Sequence, residues 1–172
     1  MSGYFSPKSI IAPTFLASAS GMFRHSTASP AVTLAERDAA YRAFRSAYES
    51  KRYTEALPYA ERVVALTESD PDAPQLPSAL NNLGATQFAL GDYVEAEKAY
   101  ARALKIVEEH AGAASLRLLT PLKGLALTYQ AGGRREAAAP LLERAVAISR
   151  RADGLFNPGQ LTLIEPLIDS YV

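Results

Sequence analysis

At 172 residues and 48% apolar content, the chain is long enough for one or at most two domains with a core of their own. Eighteen basic against eighteen acidic residues leave no net charge, which argues against nucleic acid or an anionic membrane as the main partner, because both demand a dense positive face. No cysteine is present, so disulfide staples and thiolate metal sites are excluded.

Residues 1–32 read as a flexible leader and candidate targeting segment, ahead of a repeat domain over 33–172. The apolar run from Ile10 to Leu16 is broken by Pro13 and falls far short of the roughly 20 residues of a membrane helix, so no membrane span is expected. Lys8 ahead of that run and Ala17-Ser18-Ala19 after it resemble a secretory signal with an A-x-A cleavage site, which would make residues 1–19 a signal peptide and the protein exported or periplasmic. A single positive charge and the proline make that signal a poor one, and a cytoplasmic location is favoured over export.

From there on the chain repeats itself. Tyr53-x-x-Ala56, Tyr93-x-x-Ala96 and Arg135-x-x-Ala138 recur 40 and then 42 residues apart. A period of that length marks stacked supersecondary units that bury their apolar faces only against one another. In this register first helices are expected at 34–49, 75–90 and 116–131, and second helices at 53–67, 93–110 and 135–151. Core positions Ala43, Leu83, Leu125 and Leu167 each lie nine residues after a helix start at Leu34, Pro74, Leu116 and Pro158. Thr33, Ser115 and Asn157 are good N-caps before three of those starts, while Ala73 is not; Thr33-x-x-Glu36 and Asp92-x-x-Glu95 read as capping boxes. Gly91 and Gly133 stand where first helices end in a left-handed residue, whereas the first repeat has Ser50-Lys51 there and should carry strain of about 1 kcal/mol or a different turn. Phe44 with Ala60, Gly84 with Tyr100, and Ala126 with Leu142 should face each other within their repeats, a large residue against a small one each time.

Little in the chain suggests chemistry. His25 lies in the leader, and His110 falls in the last turn of a predicted helix, where a cation suits the dipole. Neither has companions at metal-ligand spacing, so no metal and no cofactor are expected. Asp70 and Asp72 sit in a loop between repeats, and Gly132-Gly133-Arg134-Arg135 reads as an inter-helix turn before it reads as an anion site. No nucleophile-elbow, phosphate-loop or dinucleotide motif occurs, and an enzyme is not expected. The last helix, expected over 159–172 with a kink at Pro166, places Leu161, Leu163, Ile164, Leu167, Ile168, Tyr171 and Val172 on about half its circumference, opposite Thr162, Glu165, Asp169 and Ser170. That is wider than a terminal cap needs, which makes Leu163, Leu167, Ile168 and Tyr171 candidates for self-association as a homo-oligomer.

Leu83-Gly84, Gly91-Asp92-Tyr93, Ala96, Tyr100 and Ala103-Leu104 fall at the spacing of tetratricopeptide repeats, and the 42-residue pitch resembles the longer variety of kinesin light chains. The resemblance covers 34–172 and implies an all-α fold: a right-handed superhelix of antiparallel helix pairs, about three and a half repeats long, whose first helices line a concave groove. It also implies the lining of that groove: Asp38, Tyr41, Arg42 and Arg45 from the first repeat, Asn81, Asn82, Ala85 and Phe88 from the second, Lys123, Leu127 and Gln130 from the third. Asparagines there can pair with both N–H and C=O of an extended backbone. Tyr41 and Arg45 stand where the family's carboxylate clamp for chaperone tails has lysine and asparagine, so that role is not expected. The expected function is a non-catalytic scaffold or adaptor holding a peptide or helix of another protein; the alternatives are a structural self-association module acting through the last helix, or a piece of a longer array.

Overall fold

The computed structural model describes residues 30–69, 74–154 and 158–171, which contain seven α-helices and no strand. They run α1 (Pro30–Glu49), α2 (Tyr53–Glu68), α3 (Leu76–Leu90), α4 (Tyr93–Ala111), α5 (Leu119–Ala131), α6 (Arg135–Asp153) and α7 (Leu161–Asp169). Each odd-numbered helix packs on the even-numbered one after it, and each pair stacks on the next, giving the expected all-α array of helix pairs with an unpaired α7 at its end. Residues 1–29, including the candidate signal and His25, lie outside the described residues, as do Asp70, Asp72, Ala73, Asn157 and Val172.

The turns within pairs share one geometry. Gly91 and Gly133 adopt φ of 85° and 78°, and the N–H of the next residue reaches back to the first helix, Asp92 to Gln87 O at 2.9 Å and Arg134 to Tyr129 O at 2.7 Å. The first repeat builds the same turn with Lys51 at φ 58°, and Arg52 N–H donates to Ala47 O at 2.9 Å. Of the two outcomes open for Ser50-Lys51, the structure has the strained one: a non-glycine residue in the left-handed region.

Several helix starts differ from the sequence reading. Helix α1 begins at Pro30, a residue suited to a first helical position, so Thr33 lies inside the helix and not before its start. Pro74 lies in the turn before α3, and Pro77 occupies the first turn instead. Asp92 precedes α4 without a side-chain cap bond, and the other half of the capping box is also missing, since Glu95 pairs with Lys98 Nζ at 2.6 Å and the Asp92 N–H donates to Gln87 O. Ser115 does cap, its Oγ accepting from Arg117 N–H at 3.3 Å, but it caps a 3-10 turn over Leu116–Leu118, and α5 starts only at Leu119. A second 3-10 turn, Pro158–Gln160, leads into α7, which ends at Asp169.

The three expected large-small pairs lie in packed core clusters. Phe44 packs with Ala47, Ala56 and Ala60, and Ala126 with Ala138 and Leu142. A Cβ on Gly84 would stand 3.0 Å from the Tyr100 ring, so that glycine is in direct contact with it. The ring also meets Gly124 of the next pair, where a Cβ would come within 2.3 Å. Tyr100 thus runs from α4 between α3 and α5 and ties the second repeat to the third.

Candidate clefts between successive first helices

Three clefts gather most of the residues expected to line a groove. The first, about 330 Å³, lies between α1 and α3 over α2 and brings together Asp38, Tyr41 and Asn82 with Arg37, Gln75 and Thr67. The second, about 460 Å³, lies between α5 and α7 and brings together Lys123 and Leu127 with Tyr100, Thr120, Ser149 and Leu163. The third, about 450 Å³, runs along α1 alone and holds Tyr41, Arg42 and Arg45, with Glu49.

Neutralisation differs between them. Arg45 Nε donates to Glu49 Oε1 at 2.9 Å, an exposed pair one helical turn apart. Asp38, Arg42 and Lys123 enter no ion pair among the described residues. The Asn82 backbone carbonyl accepts from Thr86 Oγ1 at 2.8 Å, and Asn82 lines the first cleft. Asn81 lines none of the three clefts, yet its Oδ1 is buried with no hydrogen-bond partner. A buried acceptor left unpaired costs about 1–3 kcal/mol.

Other expected groove residues are committed to the fold. Phe88 meets the Tyr93 ring at a tilt, with ring centroids 5.6 Å apart, and, like Ala85, packs on the cluster of Ala96, Tyr100 and Leu125. Gln130 donates from Nε2 to Pro166 O at 2.6 Å and to Ser170 Oγ at 2.8 Å, holding α7 in place. It is a brace between helices, not a free groove residue.

The self-association candidates divide in the same way. Leu163 is only 4% exposed, packed with Val107, Leu118 and Val146, and Leu167 is half-buried against the same cluster. These two face inward, Leu163 almost wholly and Leu167 in part. The exposed apolar residues are Leu161, Ile168 at 57% and Tyr171 at 65%, and the Tyr171 hydroxyl donates to Glu143 Oε1. Ile168 occupies the register position of Phe44, Gly84 and Ala126, which are covered by the second helices of their repeats.

The second helices carry a polar ladder at the same register. Arg102 pairs with Glu68 and Arg144 with Glu108, each arginine reaching back to the preceding second helix. Arg134 pairs with Glu97 and lies 4.2 Å from the centroid of the Tyr129 ring. The bond from Arg134 holds the Glu97 carboxyl below the usual carboxylate range, and burial pushes the Tyr129 hydroxyl up. The glycine-arginine stretch is therefore an inter-helix turn whose first arginine is already neutralised. His110 Nδ1 lies 2.8 Å from Ile106 O, back-bonded to its own last turn. Among the described residues no group of three His, Asp or Glu could hold a metal, and no helix is long and apolar enough to cross a membrane.

Sequence reasoning missed the cleft floors and the role of Gly124. Thr67 and Ser149 sit at the same register of α2 and α6, so extending the register from the first helices to the second would have found them. A glycine facing a ring from the neighbouring repeat leaves no trace in the spacing of a single unit.

The tetratricopeptide repeat profile matches residues 45–109 and 75–151. No curated protein matches the sequence. Among solved structures, a singly substituted variant of a Podosopora anserina protein, described as a putative kinesin light chain with nearly identical TPR-like repeats, is similar at 24% identity and a TM-score of 0.66. It matches over 83% of this chain and 66% of its own, so the chain spans slightly less than two thirds of that structure. The same protein without the substitution has a TM-score of 0.63 over the same coverage. BtubC (BKLC) from P. vanneervenii is similar at 19% identity and a TM-score of 0.54, over 81% of this chain and 65% of its own.

Proposed function

Because the chain belongs to the tetratricopeptide repeat family, we propose that it is a non-catalytic protein-interaction module that holds an extended peptide or a helix of another protein in the groove along its first helices. The observation that carries this reading is that the first helices bring Asp38 and Asn82 together in one cleft and set Lys123 in another, with neither charge in an ion pair among the described residues. A carboxamide on a cleft wall can pair with both the N–H and the C=O of a bound extended backbone. Arg42 and Arg45 add charge at one end of the groove, Lys123 and Leu127 a cation and an apolar contact at the other, and half-buried Phe88 shapes the wall between. No cofactor enters the reading.

The test is capture of partners from the host by the purified chain, with mass spectrometry of what is retained. Arg45→Ala combined with Asn82→Ala should lower capture of the groove partner about tenfold or more, since removing contact residues of a binding site costs of order 1–2 kcal/mol each. Far-UV circular dichroism should stay unchanged, because the Arg45–Glu49 pair is exposed and worth little to the fold. Undiminished capture would move the site out of the groove.

A second reading, self-association through α7, is supported by the exposure of Ile168 and Tyr171, the former at a position that the other repeats cover. Ile168→Asp is the informative variant, since Leu163 and Leu167 serve the fold itself. If α7 pairs chains, light scattering should give a concentration-dependent dimer that this variant abolishes. A monomer at all concentrations would reject the second reading.

A further inference from the structure

The clefts at α1/α3 and α5/α7 are the same site built twice. On the near wall and floor, an offset of 82 residues carries Asp38 onto Thr120, Tyr41 onto Lys123 and the floor residue Thr67 onto Ser149. On the far wall both pitches are 42, as Leu83, Leu125 and Leu167 show, and an offset of 84 carries Ser78 onto Thr162 and Ala79 onto Leu163. Both clefts thus keep a hydroxyl on the floor and another on the far wall. At the equivalent floor position of the repeat between them stands Val107, buried and without a hydroxyl.

The near walls differ in chemistry. In the first cleft Arg37 and Asp38 stand side by side with the amides of Gln75 and Asn82, giving donors and acceptors with no net charge. That set matches a carboxamide side chain, which presents an N–H₂ and a C=O together. In the second the near wall is Leu119, Thr120 and Lys123, and the lysine has no carboxylate partner among the described residues. A half-buried lysine beside the hydroxyl side chains of Thr120 and Ser149 matches a carboxylate.

Resting on the groove reading above, we propose that the two clefts are paired anchor points for one extended peptide, the first taking an Asn or Gln side chain and the second an Asp or Glu side chain. The repeat geometry sets their separation. Packed helices lie about 8–10 Å apart, so two repeats place the clefts roughly 20 Å apart. An extended chain rises about 3.3 Å per residue, which makes the separation about six residue steps.

Fluorescence anisotropy with labelled peptides tests this on the full chain. The peptides carry one Gln and one Glu separated by two to nine Ser or Ala residues, in both orders. Binding should be tightest with about five intervening residues and at least about fivefold weaker at two and at nine, because a second anchor acts only when the linker spans both sites. Lys123→Glu should abolish binding of the Glu peptides and restore it for peptides with Lys in that place, and Lys123→Gln should weaken it without any change in helicity. Binding independent of spacing, or indifferent to Lys123→Glu, overturns the proposal. If no peptide of the series binds while the Arg45→Ala/Asn82→Ala variant loses its host partner, the paired anchors are overturned and the groove stands. If that variant also keeps its partner, the groove falls with them.

Discussion

Tyr100 shows how one side chain can set the spacing of three helices. Its ring fits between α3 and α5 only because both helices present a bare backbone to it, at Gly84 and Gly124. The phenol is pushed well above its ordinary range, first by burial and then by nearby Tyr48, so it stays neutral at any ordinary pH and adds no charge to the core. The tighter contact lies across the repeat boundary. Gly124→Ala should therefore lower stability by about 1–3 kcal/mol, the usual cost of an extra methyl in a packed interior, and Gly84→Ala should cost less; urea titration of both variants checks the order. The contact with Gly84 could be read from the sequence, because glycine and tyrosine fall at facing positions of one repeat. The contact with Gly124 could not, because it depends on how far one pair of helices is shifted past the next. The same reason hid the division of labour among the amides. Gln130 and Asn82 are equally good groove residues by register, but only packing reveals that Gln130 braces α7.

The helices and turns were the most legible level. The repeat register located six helices to within a few residues, since periodic apolar positions and second-helix starts at Tyr53, Tyr93 and Arg135 leave little freedom. First-helix starts were misplaced by up to four residues because the chain offers competing signals: Pro30 against Thr33, Pro77 against Pro74, and a 3-10 turn after Ser115. At the other end of these helices all three turns agree, and the price of uniformity falls on Lys51 with its φ of 58°. Lys51→Gly should raise stability by about 1 kcal/mol, because glycine enters the left-handed region without the Cβ clash. A thermal melt measures this, and an unchanged or lower midpoint would mean that the turn is not strained in solution.

At the scale of the whole molecule, stability is a sum of neighbour contacts, and α7 has the fewest. It is nine residues long, packs mainly on α6, and is pinned by Gln130 across to the Pro166 carbonyl. Hydrogen exchange should show 161–169 opening before 76–111, and Gln130→Ala should speed exchange in the first segment with little change in the second. Equal protection along the chain would indicate a single cooperative unit. The separation of the clefts belongs to this scale as well, since it depends on repeat number and not on any one residue. The Tyr100 ring between two glycines also limits how the repeats could be reordered. A hybrid array that kept the second repeat but placed after it a unit with any larger residue at the position of Gly124 would run into the ring. The units look alike in register, yet their order is written into that one gap, and shuffling them would need the tyrosine and its two glycines to travel together.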